Sequence, residues 1–287
     1  MTYVVGWSPF HRDAGAVDLA CRLARSVGER LHVLSVFPSA WGGLGRRGTD
    51  ESVERQGARA GAEARAFLDE AGVEGDVVCV SARSVPHALL GAVEETSASM
   101  LVLGSGGDAG LGHISLSSKS SRLLHSSPVP VALAPRGHHG RGAAVTRVTC
   151  AYRDVDSARS ALERSVDFAR RAGAQVRVVT FGVEPRRMYP AEVSGAESMV
   201  LDEWRTQADA ALTRAVADLA PDAAGGEIAV GRTWADALYA VEWTEGDVLV
   251  VGSSSTIPLA QVFLGSSASK IVRHSPVPVV VMPGSAG

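Results

Sequence analysis

Two short stretches of this 287-residue chain combine glycines and hydroxyl side chains at a spacing that could hold a phosphate. The first runs Gly104-Ser105-Gly106-Gly107, then nine residues, then Ser117-Ser118; the second runs Gly252-Ser253-Ser254-Ser255, nine residues, then Gly265-Ser266-Ser267. Glycines let backbone N–H groups approach an anion with no side chain in the way. A helix beginning at the serines would add N–H donors that lack intrahelical acceptors, together with a favourable dipole. The candidate anion-binding residues are therefore Gly104, Ser105, Gly107, Ser117 and Ser118 in one stretch, and Gly252, Ser253, Ser255, Gly265, Ser266 and Ser267 in the other. Arg122 and Lys270 occupy equivalent places one turn into those helices, where a solvated or helix-packing cation is the plainer expectation. Asp108 and His113 read as solvated loop residues. No acid, base and nucleophile converge, so no catalytic set is expected.

The two stretches are copies of one another. Ser127-Pro128-Val129-Pro130-Val131 returns as Ser275-Pro276-Val277-Pro278-Val279, a shift of 148 residues (127 to 275), and the same shift lays Val102-Leu103-Gly104-Ser105 on Val250-Val251-Gly252-Ser253. Near the start of each half the shift is 145 (31 to 176), matching Leu31-His32-Val33-Leu34 to Val176-Arg177-Val178-Val179. A period this long means duplicated domains and not a solenoid. Arg136-Gly137-His138-His139-Gly140-Arg141-Gly142 has the composition of a flexible connector. The expected organisation is a first domain over 1–136, a linker over 137–144 and a second domain over 145–287. His138 and His139 lack further ligand spacing and are expected in solvent, not on a metal.

Each half alternates strand and helix. In the first, Val4–Trp7, Leu31–Phe37, Val77–Val80, Met100–Leu103 and Val129–Leu133 read as strands. Asp13 and Ser84 are expected to cap helices, with others near 52–71 and 117–125. In the second, strands are expected at Val148–Ala151, Val176–Phe181, Ile228–Val230, Val248–Val251 and Val277–Met282, with a helix near 198–219 whose Leu201, Trp204, Ala208, Ala211, Leu212 and Val216 form a core stripe. Strict β/α alternation with continuous apolar strands predicts two tandem doubly wound α/β domains with parallel sheets. Ligands in such sheets collect beyond the carboxyl ends of the strands where the winding reverses, which selects the loops after the first and fourth strands. Pro128, Pro130, Pro276 and Pro278 cannot donate to a ladder, so the last strands are expected at sheet edges, where they could pair the repeats as an internal pseudo-dimer.

Composition excludes several classes. Net charge is -3, without the basic footprint of a nucleic-acid binder. Apolar runs are strand-sized, so neither a membrane span nor a signal peptide is expected, and the cytoplasm is the expected compartment. Cys21, Cys79 and Cys150 read as small core residues. Trp41, Trp204, Trp234 and Trp243 read as packing residues.

Both halves, down to the endings His125-Ser126-Ser127-Pro128 and His274-Ser275-Pro276, resemble the universal stress proteins. That resemblance implies an adenine-nucleotide α-hydrolase-like, Rossmann-like fold and, through Gly-x-x-Gly, nine residues, Gly-Ser, a site for ATP with Mg. It also implies a non-enzymatic stress-response role exercised through protein partners, with a homodimer one further arrangement. The first copy has Ser117 at the third glycine position; the second has Ser255 at the middle one. Nucleotide-binding relatives carry an acid just past the first strand, where this chain has Ser8 and Arg153; Asp154 could substitute only if the loop turned differently. A serine at a glycine position costs on the order of 1 kcal/mol where φ must be positive and little where φ is negative. A lost hydrogen bond to a charged partner costs roughly 1.5–3 kcal/mol. Weak or conditional ATP binding, with the second repeat the better phosphate site and the first retaining the more open glycine loop, and a nucleotide-free interaction scaffold are therefore the two readings left open.

Overall fold

The structure, a computed structural model, describes residues 1–8, 13–38, 47–140, 143–184, 196–253 and 264–283; Trp41, Ser254 and Ser255 lie outside them. Tertiary contacts divide the chain into Met1–Ala144 and Val145–Gly287.

In the first unit β1 (Thr2–Trp7) is followed by α1 (Gly15–Val27), β2 (Arg30–Pro38), α2 (Arg47–Ala71), β3 (Gly75–Ala82), α3 (Val85–Glu95), β4 (Met100–Leu103), α4 (Ser118–Ser126) and β5 (Val131–Leu133). Every neighbouring pair is parallel, in the order β3-β2-β1-β4-β5. Val4 stands opposite His32 on one side and Leu101 on the other. The central strands are apolar on both faces and fully buried at Val4, Val5, Leu101 and Val102, because helices cover both sides of the sheet. β3, at the outer edge, alternates between partly covered and exposed residues.

The second unit repeats this with β6 (Arg147–Ala151), α5 (Asp156–Ala172), β7 (Gln175–Val183), α6 (Ala196–Leu219), β8 (Gly226–Gly231), α7 (Trp234–Tyr239), β9 (Asp247–Gly252), α8 (Ser266–His274) and β10 (Val279–Met282). Its parallel order is β8-β7-β6-β9-β10. α1 and α5 both end in a left-handed glycine, Gly28 and Gly173, which lie 145 positions apart like the strands before them. Both units are doubly wound, as expected, with β1/β4 and β6/β9 at the points where the order reverses.

Several expectations are corrected. The N-cap residue of α1 is Ala14; Asp13, one residue earlier, still accepts the Gly15 N–H at 2.9 Å. Ser84 caps α3 as anticipated, accepting from the His87 N–H. The prolines precede the last strands instead of lying in them, and the carbonyls of Pro130 and Pro278 accept from Leu101 and Leu249. Cys79 is exposed, whereas Cys21 and Cys150 are buried. The stripe on α6 reaches the core only at its C-terminal end, where Leu212 and Ala215 are buried; Leu201, Trp204, Ala208 and Ala211 are partly covered. The expected connector is not loose throughout. From Pro135 to Gly140 it is seated on the first unit, with the Gly137 N–H on Asp13, the Gly140 N–H on Asp18 and the His138 side chain only 12% exposed.

Candidate functional site

At the carboxyl ends of β1 and β4 the first unit encloses a cavity of about 340 Å³. Its two ends differ chemically. One is built by Gly104, Ser105, Gly106 and Gly107 together with Ser117, Ser118 and Lys119 at the start of α4; the other is apolar, walled by Leu34, Val36, Val85 and Leu89 with Trp7. Trp7 is 6% exposed and set against Phe67, with ring centroids 6.2 Å apart.

The polar end is preshaped by its own hydrogen bonds. Gly106 N–H donates to the Ser115 carbonyl at 2.8 Å, Ser115 N–H to Ser105 Oγ at 2.8 Å, and Ala109 N–H to the Gly106 carbonyl at 3.1 Å. A Cβ at Gly106 would lie 2.7 Å from Asp108 Oδ1, at the end of an exposed side chain, and 3.3 Å from the Ser115 carbonyl, so a side chain there would displace Asp108 and press on the loop backbone. Ser105 thus serves the loop's shape through its hydroxyl.

Ser117 caps α4, accepting from the Ser120 N–H at 3.1 Å, with φ -62° and ψ 163°. Gly265 caps α8 with φ -62° and ψ 165°. The backbone at this motif position is therefore one that any residue adopts, and Ser117 carries no conformational penalty. The N–H groups of Ser118 and Lys119 fall in the first turn of α4, where no intrahelical acceptor exists. Both residues line the cavity.

Sequence reasoning passed over three residues that line the cavity. Asp13 lines the cavity alongside Ser8, supplying an acid five residues beyond the place where one was sought. Its position ahead of a helix made it read as a cap alone. Lys119, one of only two lysines in the chain, lines the same cavity at the start of α4. Gly106 was hidden by its place between the two motif glycines. Arg122, Asp108 and His113 are exposed, as expected.

The second unit presents a smaller cavity of about 130 Å³ at the ends of β6 and β9, lined by Gly252, Gly265, Ser266, Ser267, Arg153 and Trp234 among others. A Cβ on Gly252 would lie 2.8 Å from the Ser157 carbonyl and 3.2 Å from Ala161 Cβ, whereas one on Gly104 would meet only Ala16 Cβ, at 3.6 Å. α5 thus crowds its loop more closely than α1 does. Ser253 is 1% exposed, donates its N–H to the Met282 carbonyl and is not part of this cavity's lining. Asp154 lines a different hollow, beside α6, taking Tyr152 Oη at 3.4 Å and Arg214 at 3.5 Å. Burial, then the Asp154 charge, push the Tyr152 phenol up from its usual range. Lys270 Nζ stands 5.9 Å from the Trp234 ring centroid, the helix-packing role expected of it. Trp243 lies under the Arg177 guanidinium at 4.8 Å and donates its Nε1–H to the Leu238 carbonyl. Among the described residues no three metal-ligating side chains cluster, and no helix is long and apolar enough to cross a membrane.

The model of the universal stress protein family matches residues 5–135 and again 145–283. The chain belongs to the universal stress protein family. A universal stress protein of Mycobacterium tuberculosis is 36% identical over 292 residues, covering 99% of this chain and all of the relative. A solved universal stress protein from Archaeoglobus fulgidus superposes with a TM-score of 0.65 at 19% identity, covering 100% of this chain and 97% of that one. Another solved family member from Archaeoglobus fulgidus is in complex with dAMP; at a TM-score of 0.36 and 20% identity it covers 47% of this chain. As a tandem universal stress protein, the chain matches the family model twice, and of its two glycine- and serine-bearing stretches only the first lies wholly within the described residues.

Proposed function

We propose that this universal stress protein binds an adenine nucleotide in its first repeat, without strong catalysis, and acts through protein partners. The two-ended cavity carries the reading: a purine fits against Leu34, Val36, Val85 and Leu89, while phosphates reach the glycine loop, the Ser118 and Lys119 N–H groups and the Lys119 ammonium. Asp13 supports it by offering a carboxylate in a cavity where Ser8 has none. Mg would accompany the phosphates as part of the ligand. Contact of α5 with Gly252, and Arg153 at the cavity, favour one working site per chain. The same reading places the protein in the cytoplasm and pairs its repeats as an internal pseudo-dimer. The terminal position of β5 and β10, each within its own unit, supports that pairing.

Isothermal titration of Mg-ATP into the full chain, with AMP and GTP for comparison, tests this. The expected outcome is saturable, adenine-selective binding with a stoichiometry near one. No heat up to millimolar ATP, with the protein shown folded, replaces the reading by a nucleotide-free scaffold.

A further inference from the structure

The segment Pro135–Gly140 is bonded both to the stretch Ala109–His113, which follows the glycine loop, and to Asp13, which lines the first cavity. On the loop side, the Arg136 N–H donates to the His113 carbonyl at 2.9 Å, its carbonyl accepts from Gly112 N–H at 2.9 Å, and Nη1 donates to the carbonyl of Ala109, whose own N–H holds Gly106 of the glycine loop. On the other side, Gly137 N–H reaches Asp13 Oδ2 at 3.3 Å, the same carboxylate that takes the Gly15 N–H. Gly137 has φ 70°, and a Cβ there would stand 2.9 Å from Leu111 of the loop.

His138 is wedged beside these contacts. Its Nε2 lies 3.7 Å from Asp18 Oδ2, the oxygen that also receives the Gly140 N–H. The charged groups facing it are Asp18 and Arg22 from α1, Asp13 from the loop before α1, and His139 on the segment itself. Arg25 and Glu70 border the adjoining hollow beneath His139. Burial first, opposed by Asp18 and reinforced by Arg22, holds the ring down at about 4 against an ordinary 6.5. At neutral pH the seated ring is therefore uncharged, and its approach to Asp18 is not an ion pair.

We propose that Arg136 and His138 are positioning residues for the first cavity: the strap from Pro135 to Gly140 holds the glycine loop and Asp13 in place for a phosphate-bearing ligand, and proton uptake by the strap releases both. The ligand half rests on the nucleotide reading above; the proton half stands without it. A released ring regains its ordinary basicity, so protons favour release. Between pH 8 and pH 5 the ratio of released to seated strap rises about 30-fold.

Amide hydrogen exchange on the full chain, corrected for the intrinsic pH dependence of exchange, tests the proton half. Amides of 105–115 and 136–140 are expected to lose protection together by about 30-fold from pH 8 to pH 5, while those of β1 and β4 hold theirs. His138→Gln, which cannot take the proton, should flatten that dependence. Equal protection at both pH values, or the same pH dependence in His138→Gln, overturns the proposal. Should that variant fail to fold, NMR titration of the His138 ring in the wild type decides, and a ring titrating at its ordinary value overturns it. For the ligand half, Arg136→Met is expected to lower Mg-ATP affinity about tenfold. Unchanged affinity overturns the positioning role. Absence of ATP binding by the wild type defeats only the nucleotide reading, because the exchange experiment still judges the strap.

Discussion

At single residues, the space around Gly104 and Gly252 differs while the backbone angles at Ser117 and Gly265 match. Gly104 and Gly252 close β4 and β9 at equivalent places, yet a methyl group on the first meets Ala16 Cβ at an ordinary 3.6 Å while one on the second meets the Ser157 carbonyl at 2.8 Å. Gly104→Ala should therefore leave urea-denaturation stability within about 0.5 kcal/mol of wild type. Gly252→Ala should lower it by roughly 1–3 kcal/mol, since backbone of α5 must shift. Equal costs would contradict the crowding described for the second unit. The sequence made the glycines and serines legible because their spacing is local. It concealed Asp13, whose approach to the cavity depends on how the chain turns after β1, and Cys79, whose exposure depends on β3 being an outer strand.

Among the elements, β6 and β9 of the second unit are tied at their beginnings by an ion pair that the sequence did not announce. Arg147 grips Asp247 with two bonds, 2.6 Å from Nε and 2.7 Å from Nη2, and Asp247 is fully buried. The bond to Asp247 raises the Arg147 pKa further, whereas burial lowers that of Arg177 beside it. Asp247 also accepts the Thr244 N–H at 2.6 Å, and the Glu242 carbonyl takes both arginines. Asp247→Ala leaves a guanidinium and an N–H without their acceptor and is expected to cost about 3 kcal/mol in chemical denaturation; a loss under 1 kcal/mol would show the pair to be ornamental. Arg147 and Asp247 stand 100 residues apart, and only the parallel register of their strands brings them together. Strand and helix identities, by contrast, were readable from apolar runs and helical spacing. Their ends shifted where a proline carbonyl, not its missing N–H, met the neighbouring strand.

Across the whole molecule, acid should find one weak point earlier than the rest. The His138 ring is held at about 4 in the folded state against 6.5 when released. Its contribution to stability is complete above pH 6.5 and is lost progressively as pH falls through the folded value, because the unfolded chain takes the proton first. The loss approaches on the order of 3 kcal/mol. Thermal melts from pH 8 to pH 4 should thus fall more steeply for the wild type than for His138→Gln, and parallel curves would count against the burial of this ring. Duplication, double winding and the reversal points at β1/β4 and β6/β9 were all open to sequence reasoning, since each follows from repeat period and element order. The seating of Pro135–Gly140 was not, because a composition rich in glycine signals looseness even where every glycine N–H has found an acceptor. The matched angles at Ser117 and Gly265 carry a consequence of another kind. The joint before α4 and α8 is a synonymous position: one letter spares volume, the other supplies a cap, and the shape reads the same. A duplicated chain can therefore diverge in spelling at its most diagnostic site while each copy preserves the same entrance to its helix.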